Sequence, residues 1–150
     1  MPAAPLIRPL QAEDHMAWLP LWEGYQRFYK AEIPATTTVL TWQRLLDPSE
    51  AVNGALAWVD DRAIGMVHWI FHRSTWLASD SCYLQDLYVD PARRGSGQGR
   101  ALIEHVYAQA LVAGSTRVHW LTHADNTVAR QLYDRLAEHA GFIQYRKNLR

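Results

Sequence analysis

Apolar residues recur along this chain at two spacings, and the change between the two predicts a mixture of helices and strands. Between Gln11 and Tyr29, aromatic and leucine residues stand three or four positions apart, which is the period of an amphipathic helix. Pro20 lies inside this stretch and should kink or break the helix. A second helix is predicted over residues 39–46, because threonines that can cap it precede it and a proline follows.

Short apolar or β-rich runs bounded by turn residues predict the strands. The predicted strands cover residues 6–9, 55–59, 63–71, 82–89, 118–122 and 141–149, and two further helices cover residues 98–113 and 126 to about 140. The order β-α-α-β-β-β-α-β-α-β predicts an α+β fold in which a mixed sheet carries helices on its faces. We expect one domain over residues 1–150, since the sequence has no repeat, low-complexity tract or linker.

Composition limits the classes of function. Hydrophobic residues make up 49% of the chain and charged residues 20%, which is typical of a globular protein. Lys+Arg and Asp+Glu number 15 each, so the net charge gives no reason to expect nucleic acid or a membrane as partner. The single cysteine, Cys82, excludes an intrachain disulfide, and neither a secretory signal nor a membrane-spanning apolar run is present. We therefore expect a cytoplasmic protein.

The histidines do not have the spacing of metal ligands. His68 and His72, like His119 and His123, stand four positions apart in segments predicted to be extended, where that spacing is too long for chelation. No cysteine or carboxylate completes a zinc set near them. We expect no metal.

The segment from Leu87 to Leu102 combines a strand end, a basic glycine-rich loop and a helix start. Glycines let backbone N–H groups converge on one point, and the helix adds the positive end of its dipole, so the segment predicts an anion site. A P-loop needs Lys-Ser/Thr after its last glycine, whereas Arg100-Ala101 follows Gly99, and the G-x-G-x-G spacing differs from the Rossmann G-x-G-x-x-G. A helix-capping turn without a ligand would need only one glycine.

Two groups of residues resemble the motifs of the GCN5-related N-acetyltransferase (GNAT) family. Arg94-x-x-Gly97-x-Gly99, after a Leu-x-Val-x-Pro strand, resembles motif A. Trp120-x-Thr122-x-x-x-Asn126-x-x-Ala129-x-x-x-Tyr133, followed by Gly141-Phe142, is similar to motif B. The resemblance implies the GNAT fold: a mostly antiparallel sheet of six to seven strands with helices on both faces and a splayed parallel pair at the acetyl-CoA site.

The resemblance also implies an enzyme, an N-acetyltransferase, with acetyl-CoA as co-substrate and no metal. The pyrophosphate would lie on the loop amides, and the pantetheine arm would pair with the preceding strand. The implied cofactor-binding residues are Leu87, Tyr88, Val89, Arg94, Gly95, Ser96, Gly97, Gln98, Gly99, Arg100 and Asn126. Tyr133 would protonate the leaving thiolate. Taken alone, this tyrosine is more simply interpreted as a core-facing residue of an amphipathic helix, but its spacing from Asn126 favours the catalytic role. Direct attack by the amine is favoured over an acyl-enzyme on Cys82, which lies at the far end of its strand.

The base is left open by the sequence. The strand Tyr83-Leu84-Gln85-Asp86-Leu87-Tyr88-Val89 resembles that of spermidine/spermine acetyltransferases, which carries adjacent Glu-Asp where this chain has Gln85-Asp86. Glutamine cannot accept a proton. Asp86 is a candidate base and, equally, a candidate structural carboxylate. A water chain could serve as the base instead, or the amine could arrive already neutral.

The acceptor is predicted to be a primary amine. Trp22, Tyr25 and Tyr29 on the first helix, with Gln85, are the candidate substrate residues, since aromatic rings near carboxylates suit a cation, although helix packing explains Trp22 and Tyr25 equally well. The chain ending resembles Hpa-type acetyltransferases, which implies a histone or a polyamine as substrate. We expect a polyamine, amino acid or similar small cation as the acceptor. The competing functions are a protein lysine acetyltransferase and a non-catalytic acyl-CoA-binding regulatory domain. Room for one terminal strand, where many relatives have two, predicts a homodimer.

Overall fold

The computed structural model describes residues 4–149. Its strands are β1 (Leu6–Pro9), β2 (Val52–Val59), β3 (Arg62–His72), β4 (Ser81–Val89) and β5 (Arg117–His119), and its helices are α1 (His15–Phe28), α2 (Ala35–Leu46), α3 (Gln98–Val112) and α4 (Thr127–Leu136). Single 3-10 turns, Ala12–Asp14 and Pro91–Arg93, precede α1 and the glycine loop.

The five strands form one mixed sheet in chain order. Strands β1 to β4 pair antiparallel, and β5 is added parallel to β4. Helix α1 packs on one face of the sheet and α3 on the other, so the predicted α+β class with helices on both faces is confirmed. The described residues form five strands where six to seven were expected.

The strand predicted over residues 141–149 accounts for the difference. Residues 137–149 are neither helical nor in the sheet, and α4 ends at Leu136, before the predicted position near Ala140. The side chains of Phe142 and Tyr145 are 76% and 89% exposed. An apolar run becomes a strand only where a neighbouring edge supplies hydrogen bonds, and this segment has no such neighbour within residues 4–149.

Two hydrophobic layers hold the helices on the sheet. On the α1 side, Trp18, Leu21 and Trp22 of the helix pack on Leu56 and Met66 of the strands. The opposite layer joins α3 and α4 to the sheet through the buried residues Val67, Trp69, Leu84, Leu102, Ile103 and Val106, with Leu132, Tyr133 and Leu136 at its edge. Both layers meet β3 and β4, so these two strands are the central support of the molecule.

Helix α1 continues through Pro20, which was expected to kink or break it. Proline removes one N–H and disturbs the carbonyl four residues earlier, here that of Met16. Both residues are exposed, Met16 to 82%, so solvent can hydrate the freed carbonyl. On the other side of the helix the buried tryptophans keep their packing, which offsets the local cost.

A β-bulge interrupts the pairing of β3 with β4. His68 pairs with Asp86, but the next residue of β3, Trp69, pairs with Leu84, so Gln85 is the extra residue. Because side chains alternate between the faces of a strand, one extra residue reverses the alternation. Leu84 therefore belongs to the α3 layer, whereas Asp86 turns to the α1 side.

Candidate active site

The parallel strands β4 and β5 pair only over residues 81–83 and 117–119 and then separate. Beyond this point β4 is bonded to β3 alone, and its other edge, residues 84–89, faces a gap. Free N–H and C=O groups on a strand edge can pair with an extended ligand. Leu87, Tyr88 and Val89, the residues predicted to pair with pantetheine, lie on this edge.

The glycine loop begins where the open edge ends. Asp90 accepts a hydrogen bond from the Ala92 N–H at 3.0 Å and fixes the turn that leaves β4. Gly95 and Gly97 then have φ of +83° and +88°, a region that strongly favours glycine. Within residues 4–149, no backbone acceptor bonds the N–H groups of residues 95–100. These N–H groups, at the start of α3, have the properties of an anion site.

A buried side chain shapes the loop from inside. Gln98 is 3% exposed, and its amide nitrogen, in the orientation that satisfies its neighbours, donates to Ser96 Oγ at 2.8 Å and to the carbonyls of Ser96 and Arg93 at 3.2 Å. The Ser96 hydroxyl in turn donates to the Arg93 carbonyl at 2.7 Å. The loop is thus bound to itself through side chains, while its N–H groups are left for a ligand.

The two arginine side chains in the predicted cofactor set point to other partners. Arg94 Nε donates to the carbonyl of Val89 at 3.1 Å, and its guanidinium lies 5.3 Å from the Phe28 ring. Arg100 Nε donates to Glu104 at 2.8 Å on the exposed face of α3. Arg94 therefore ties the loop to β4 and α1, while the remaining N–H groups of the two exposed guanidinium groups make no hydrogen bond within residues 4–149.

A small cavity lies where the open edge of β4, the end of α1 and the start of α4 meet. Its lining residues are Tyr25, Tyr29, Leu84, Gln85, Leu87, Ile103, Trp120, Leu121 and Tyr133. The structure thus brings together five residues predicted from the sequence, namely Tyr25, Tyr29, Gln85, Leu87 and Tyr133. A wider cleft of about 870 Å³ lies between α1 and the β2–β3 turn, but none of these five residues lines it.

Tyr133 faces this cavity as a neutral phenol. Burial, with a smaller contribution from Tyr29, raises its pKa to about 12. Its ring contacts the Trp120 ring edge-on, with 5.4 Å between centroids. A phenol held in this way keeps its proton at neutral pH and can donate it to a developing anion.

Asp86 lies behind the cavity wall and is 8% exposed. Its Oδ2 is 2.9 Å from Nδ1 of His68, and the indole N–H of Trp18 donates to Nε2 of the same histidine at 3.0 Å. On the cavity side, burial raises the pKa of Tyr25, and the charge of Asp86 and a hydrogen bond to it raise that pKa further. The four side chains form a line from the core to the cavity.

Sequence reasoning missed His68 and Trp18 as members of the site. The sequence raised His68 only as a metal ligand, and within residues 4–149 no group of three or more potential metal ligands is found. The signal that could have found it is its position, a single histidine in the otherwise apolar run from Ile64 to Phe71. The helical period predicts Trp18 on the apolar face of α1, which is where it packs, but it predicts no partner for the indole N–H.

Three other candidate residues lie away from the cavity. Trp22 stacks between Trp18 and Tyr25, and its indole N–H donates to Thr38 of α2 at 3.1 Å. Asn126 starts α4 and donates to the Thr122 hydroxyl at 3.3 Å. Cys82 is fully buried, and burial raises the pKa of its thiol to about 11. Trp22 therefore reaches a ligand only through Tyr25.

Known proteins share this fold. The model of the acetyltransferase (GNAT) family matches residues 17–137, which contain the whole of the splayed strand pair, the glycine loop and Tyr133. The chain belongs to the GNAT acetyltransferase family. Members of this family use acetyl-CoA, and the free loop N–H groups and open β4 edge fit its pyrophosphate and its extended arm.

Two relatives and two solved structures are informative. The chain is 34% identical to a D-amino-acid N-acetyltransferase, HPA3, of Saccharomyces cerevisiae over 95% of this chain and 90% of that protein. A thialysine N-epsilon-acetyltransferase of Caenorhabditis elegans is 30% identical, over 57% of this chain and 53% of that protein. The structure of the aminoglycoside acetyltransferase AAC(6')-Iy in complex with a bisubstrate analogue aligns with this chain with a TM-score of 0.84 at 20% identity. The alignment covers 98% of this chain and 100% of the aminoglycoside acetyltransferase chain.

The other structure supports the same fold. A ribosomal-protein-alanine N-acetyltransferase from Brucella melitensis biovar Abortus 2308 has a TM-score of 0.80 at 20% identity, over 98% and 100% of the two chains. This GNAT chain is an N-acetyltransferase by its family and its named relatives. The helices of the described residues include none that is long and apolar enough to span a bilayer.

Proposed function

We propose that this GNAT protein transfers the acetyl group of acetyl-CoA to the primary amine of a small cationic acceptor such as an amino acid or a polyamine. The observation that carries the proposal is the cavity, because it joins the open β4 edge, which continues into the anion loop, to the phenol of Tyr133. The thioester of acetyl-CoA would supply the acetyl group. The acceptor would approach from the side of Tyr25 and Tyr29.

The residues of the cavity can divide the work of the reaction. A backbone N–H on the β4 edge at Leu87 to Val89 would donate to the thioester carbonyl oxygen as negative charge develops there. Tyr133 would give its phenolic proton to the leaving sulfur and recover a proton from the attacking nitrogen. Because the thiol of Cys82 is buried and protonated, direct attack by the amine is the route that the geometry supports.

The class of acceptor follows from the lining and from the relatives. Tyr25 and Tyr29 line the cavity, and the negative charge of the buried Asp86 reaches both phenols and raises their pKa, so this side of the cavity suits an ammonium group. The D-amino-acid and thialysine acetyltransferases to which the chain is similar act on small amines by their names. The small-molecule acceptors in the names of these relatives favour a small amine over a lysine in a folded protein.

The first test is release of free thiol from acetyl-CoA in the presence of single acceptors. The panel should contain D- and L-amino acids, thialysine, spermidine and a histone-tail peptide. Release that depends on a small amine supports the proposal, and release with the peptide alone would replace it by lysine acetylation of proteins. If CoA binds but no acceptor supports release, a non-catalytic acyl-CoA-binding domain is the preferred reading.

The role of Tyr133 has its own test. Tyr133→Phe removes only the hydroxyl, so kcat should fall by roughly 10²- to 10⁴-fold, the usual contribution of a positioned acid, while CoA affinity is retained. Tyr107→Phe is the matched control, since its hydroxyl donates to the Leu136 carbonyl away from the cavity. Normal turnover by the Tyr133 variant would show that another group protonates the sulfur.

We also propose that the protein acts as a homodimer in which residues 137–149 of one copy pack on the other. Phe142, Ile143, Tyr145 and Leu149 expose 76% to 89% of their area, an unfavourable arrangement for an isolated chain. Strand β5 has only three residues and leaves an edge to which an extended segment can pair. A monomeric sedimentation profile at micromolar concentration, or one unchanged by Phe142→Asp, would refute this proposal.

A further inference from the structure

The buried line Trp18–His68–Asp86–Tyr25 contains two residues, Trp18 and His68, that have no role in the family resemblance or in the assignments above. It crosses from the core to the cavity through three elements, α1, β3 and β4. Two of its members, Trp18 and His68, are 0% and 3% exposed. Polar groups buried to this degree are costly unless each is satisfied, so their arrangement needs an explanation.

The hydrogen bonds fix the tautomer of His68. An indole N–H can only donate, so Nε2 of His68, 3.0 Å from Trp18 Nε1, must accept and carries no proton. The proton of the neutral ring is then on Nδ1, which donates to Asp86 Oδ2 at 2.9 Å. Protonation of both nitrogens would break the bond to Trp18. The pair is thus a neutral histidine that orients an ionised carboxylate.

Asp86 does not line the cavity, but Tyr25 does, and Asp86 acts on the Tyr25 hydroxyl as a negative charge and as a hydrogen-bond acceptor, which both raise the pKa of that phenol beyond the effect of burial. Burial raises the pKa of Tyr29 and Tyr83, and the negative charge of Asp86 raises the pKa of both phenols further. Among the described residues, His68 is the one basic side chain within ion-pair distance of Asp86. The carboxylate is therefore in contact with a neutral histidine on the core side and with a phenol on the cavity side, and of these two partners only the phenol lines the cavity.

We propose that His68 is a positioning residue for acetyl transfer: it holds Asp86 so that this carboxylate accepts, through the hydroxyl of Tyr25, the proton that the acceptor amine must lose. The inference rests on the proposed function. In this step an N–H bond of the ammonium breaks as an O–H bond forms on Tyr25. The original Tyr25 proton moves to Asp86, which becomes a neutral acid and keeps its bond from His68. After transfer the proton returns by the same route to solvent, and no other reactant is needed.

The relay explains how a base can act although Gln85 occupies the place of a carboxylate. Gln85 lies in the bulge and is exposed at the cavity, while the bulge turns the next residue, Asp86, inward. The amine therefore meets a phenol first and the carboxylate behind it. His68 contacts neither substrate, so its effect must pass through the orientation of Asp86.

The experiment compares two acceptors of similar shape, one protonated and one largely neutral at the assay pH. His68→Leu should lower kcat/KM for the protonated acceptor by roughly ten- to a hundredfold and leave the neutral acceptor unchanged. This loss is smaller than the roughly 10²- to 10⁴-fold effect of removing a proton-transfer group, because His68 only positions the base. His68→Asn, whose amide can replace the Nδ1 donor, should restore most of the loss. His105→Leu is the control, a partly buried histidine on α3 that packs on Trp69.

Each outcome supports or overturns the relay. Equal loss for both acceptors, or no loss for either, overturns it, because a structural role would not distinguish the charge of the amine. If His68→Leu does not fold, as judged by circular dichroism and CoA binding, His68→Met provides the same comparison, because its side chain also lacks the Nδ1 donor and fills an irregular apolar space more easily. If the wild-type protein turns over neither acceptor, the proposed function fails and the relay fails with it; insensitivity in an active enzyme overturns the relay alone.

Discussion

Replacement of single glycines in the loop should separate the need for backbone conformation from the need for space. Gly97 has φ of +88° and an added Cβ would meet no atom within 4 Å, so Gly97→Ala introduces only conformational strain. The left-handed region costs an alanine about 1–2 kcal/mol. Gly99 lies in the first turn of α3 without a positive φ, and its added Cβ would lie 3.6 Å from Leu132, an ordinary contact. Gly99→Ala should gain up to about 1 kcal/mol of helix propensity.

The strain introduced by Gly97→Ala can lower either the stability of the protein or its affinity for CoA, and both can be measured. If the loop keeps its shape, the free energy of unfolding falls by about 1–2 kcal/mol; if the loop relaxes, CoA binds roughly 5- to 30-fold more weakly. Denaturant unfolding and calorimetric titration with CoA, carried out on the same sample, measure the two losses of free energy, and their sum should equal the strain of about 1–2 kcal/mol. Gly99→Ala, as the control, should be as stable as wild type or more so. The reasoning is refuted if Gly97→Ala matches wild type in both assays, or if Gly99→Ala loses as much stability.

Two further predictions concern the packing behind the cavity. Trp22→Phe removes the hydrogen bond to Thr38 and part of a buried ring, so the free energy of unfolding measured in urea should fall by about 1–3 kcal/mol. Thr38→Val, which removes only the hydrogen bond, should lose less. An unchanged urea midpoint for Trp22→Phe would contradict a stabilising contact between α1 and α2. Cys82, buried and with its pKa raised from 9.0 to about 11, should react with a thiol reagent at pH 8 only when the chain unfolds. As the pH rises, the thiol of the unfolded chain ionises near pH 9.0, before that of the folded protein near pH 11, so the free energy of unfolding should decline between these two values. Cys82→Ala should make this decline shallower. Rapid labelling of the native protein at pH 8 would refute the prediction that the thiol is protected.

Much of the fold could be predicted because its local patterns are strong. Helix α3 has a regular apolar face and a glycine at each end, and its predicted C-terminus lies within one residue of the observed one. The loop conformation could also be predicted locally, since three glycines at a helix start indicate backbone with positive φ, and Gly95 and Gly97 have this conformation. By contrast, β5 is shorter than predicted because it diverges from β4, and divergence of neighbouring strands leaves no trace in the period of one segment.

The polar interior of the site could not be predicted in the same way. His68 and Asp86 are 18 positions apart and meet only through the register of β3 with β4. That register depends on the bulge, and the sequence around Gln85 has the pattern of an ordinary strand. Residues 141–149 have the composition of a strand but lack a partner within the described chain, so their pattern alone could not predict their environment.

The bulge at Gln85 has a consequence for how such a site can change over generations. The inward turn of Asp86 is set by the number of residues in β4, whereas the exposed side chain at position 85 contributes nothing to either core. Deleting this residue would reverse the faces to which the side chains on one side of the bulge point, so Asp86 would no longer meet His68 and the site would be lost. Substituting it would leave the fold intact and alter only what the acceptor meets. Position 85 is thus a place where selectivity can drift or be engineered at little risk to folding.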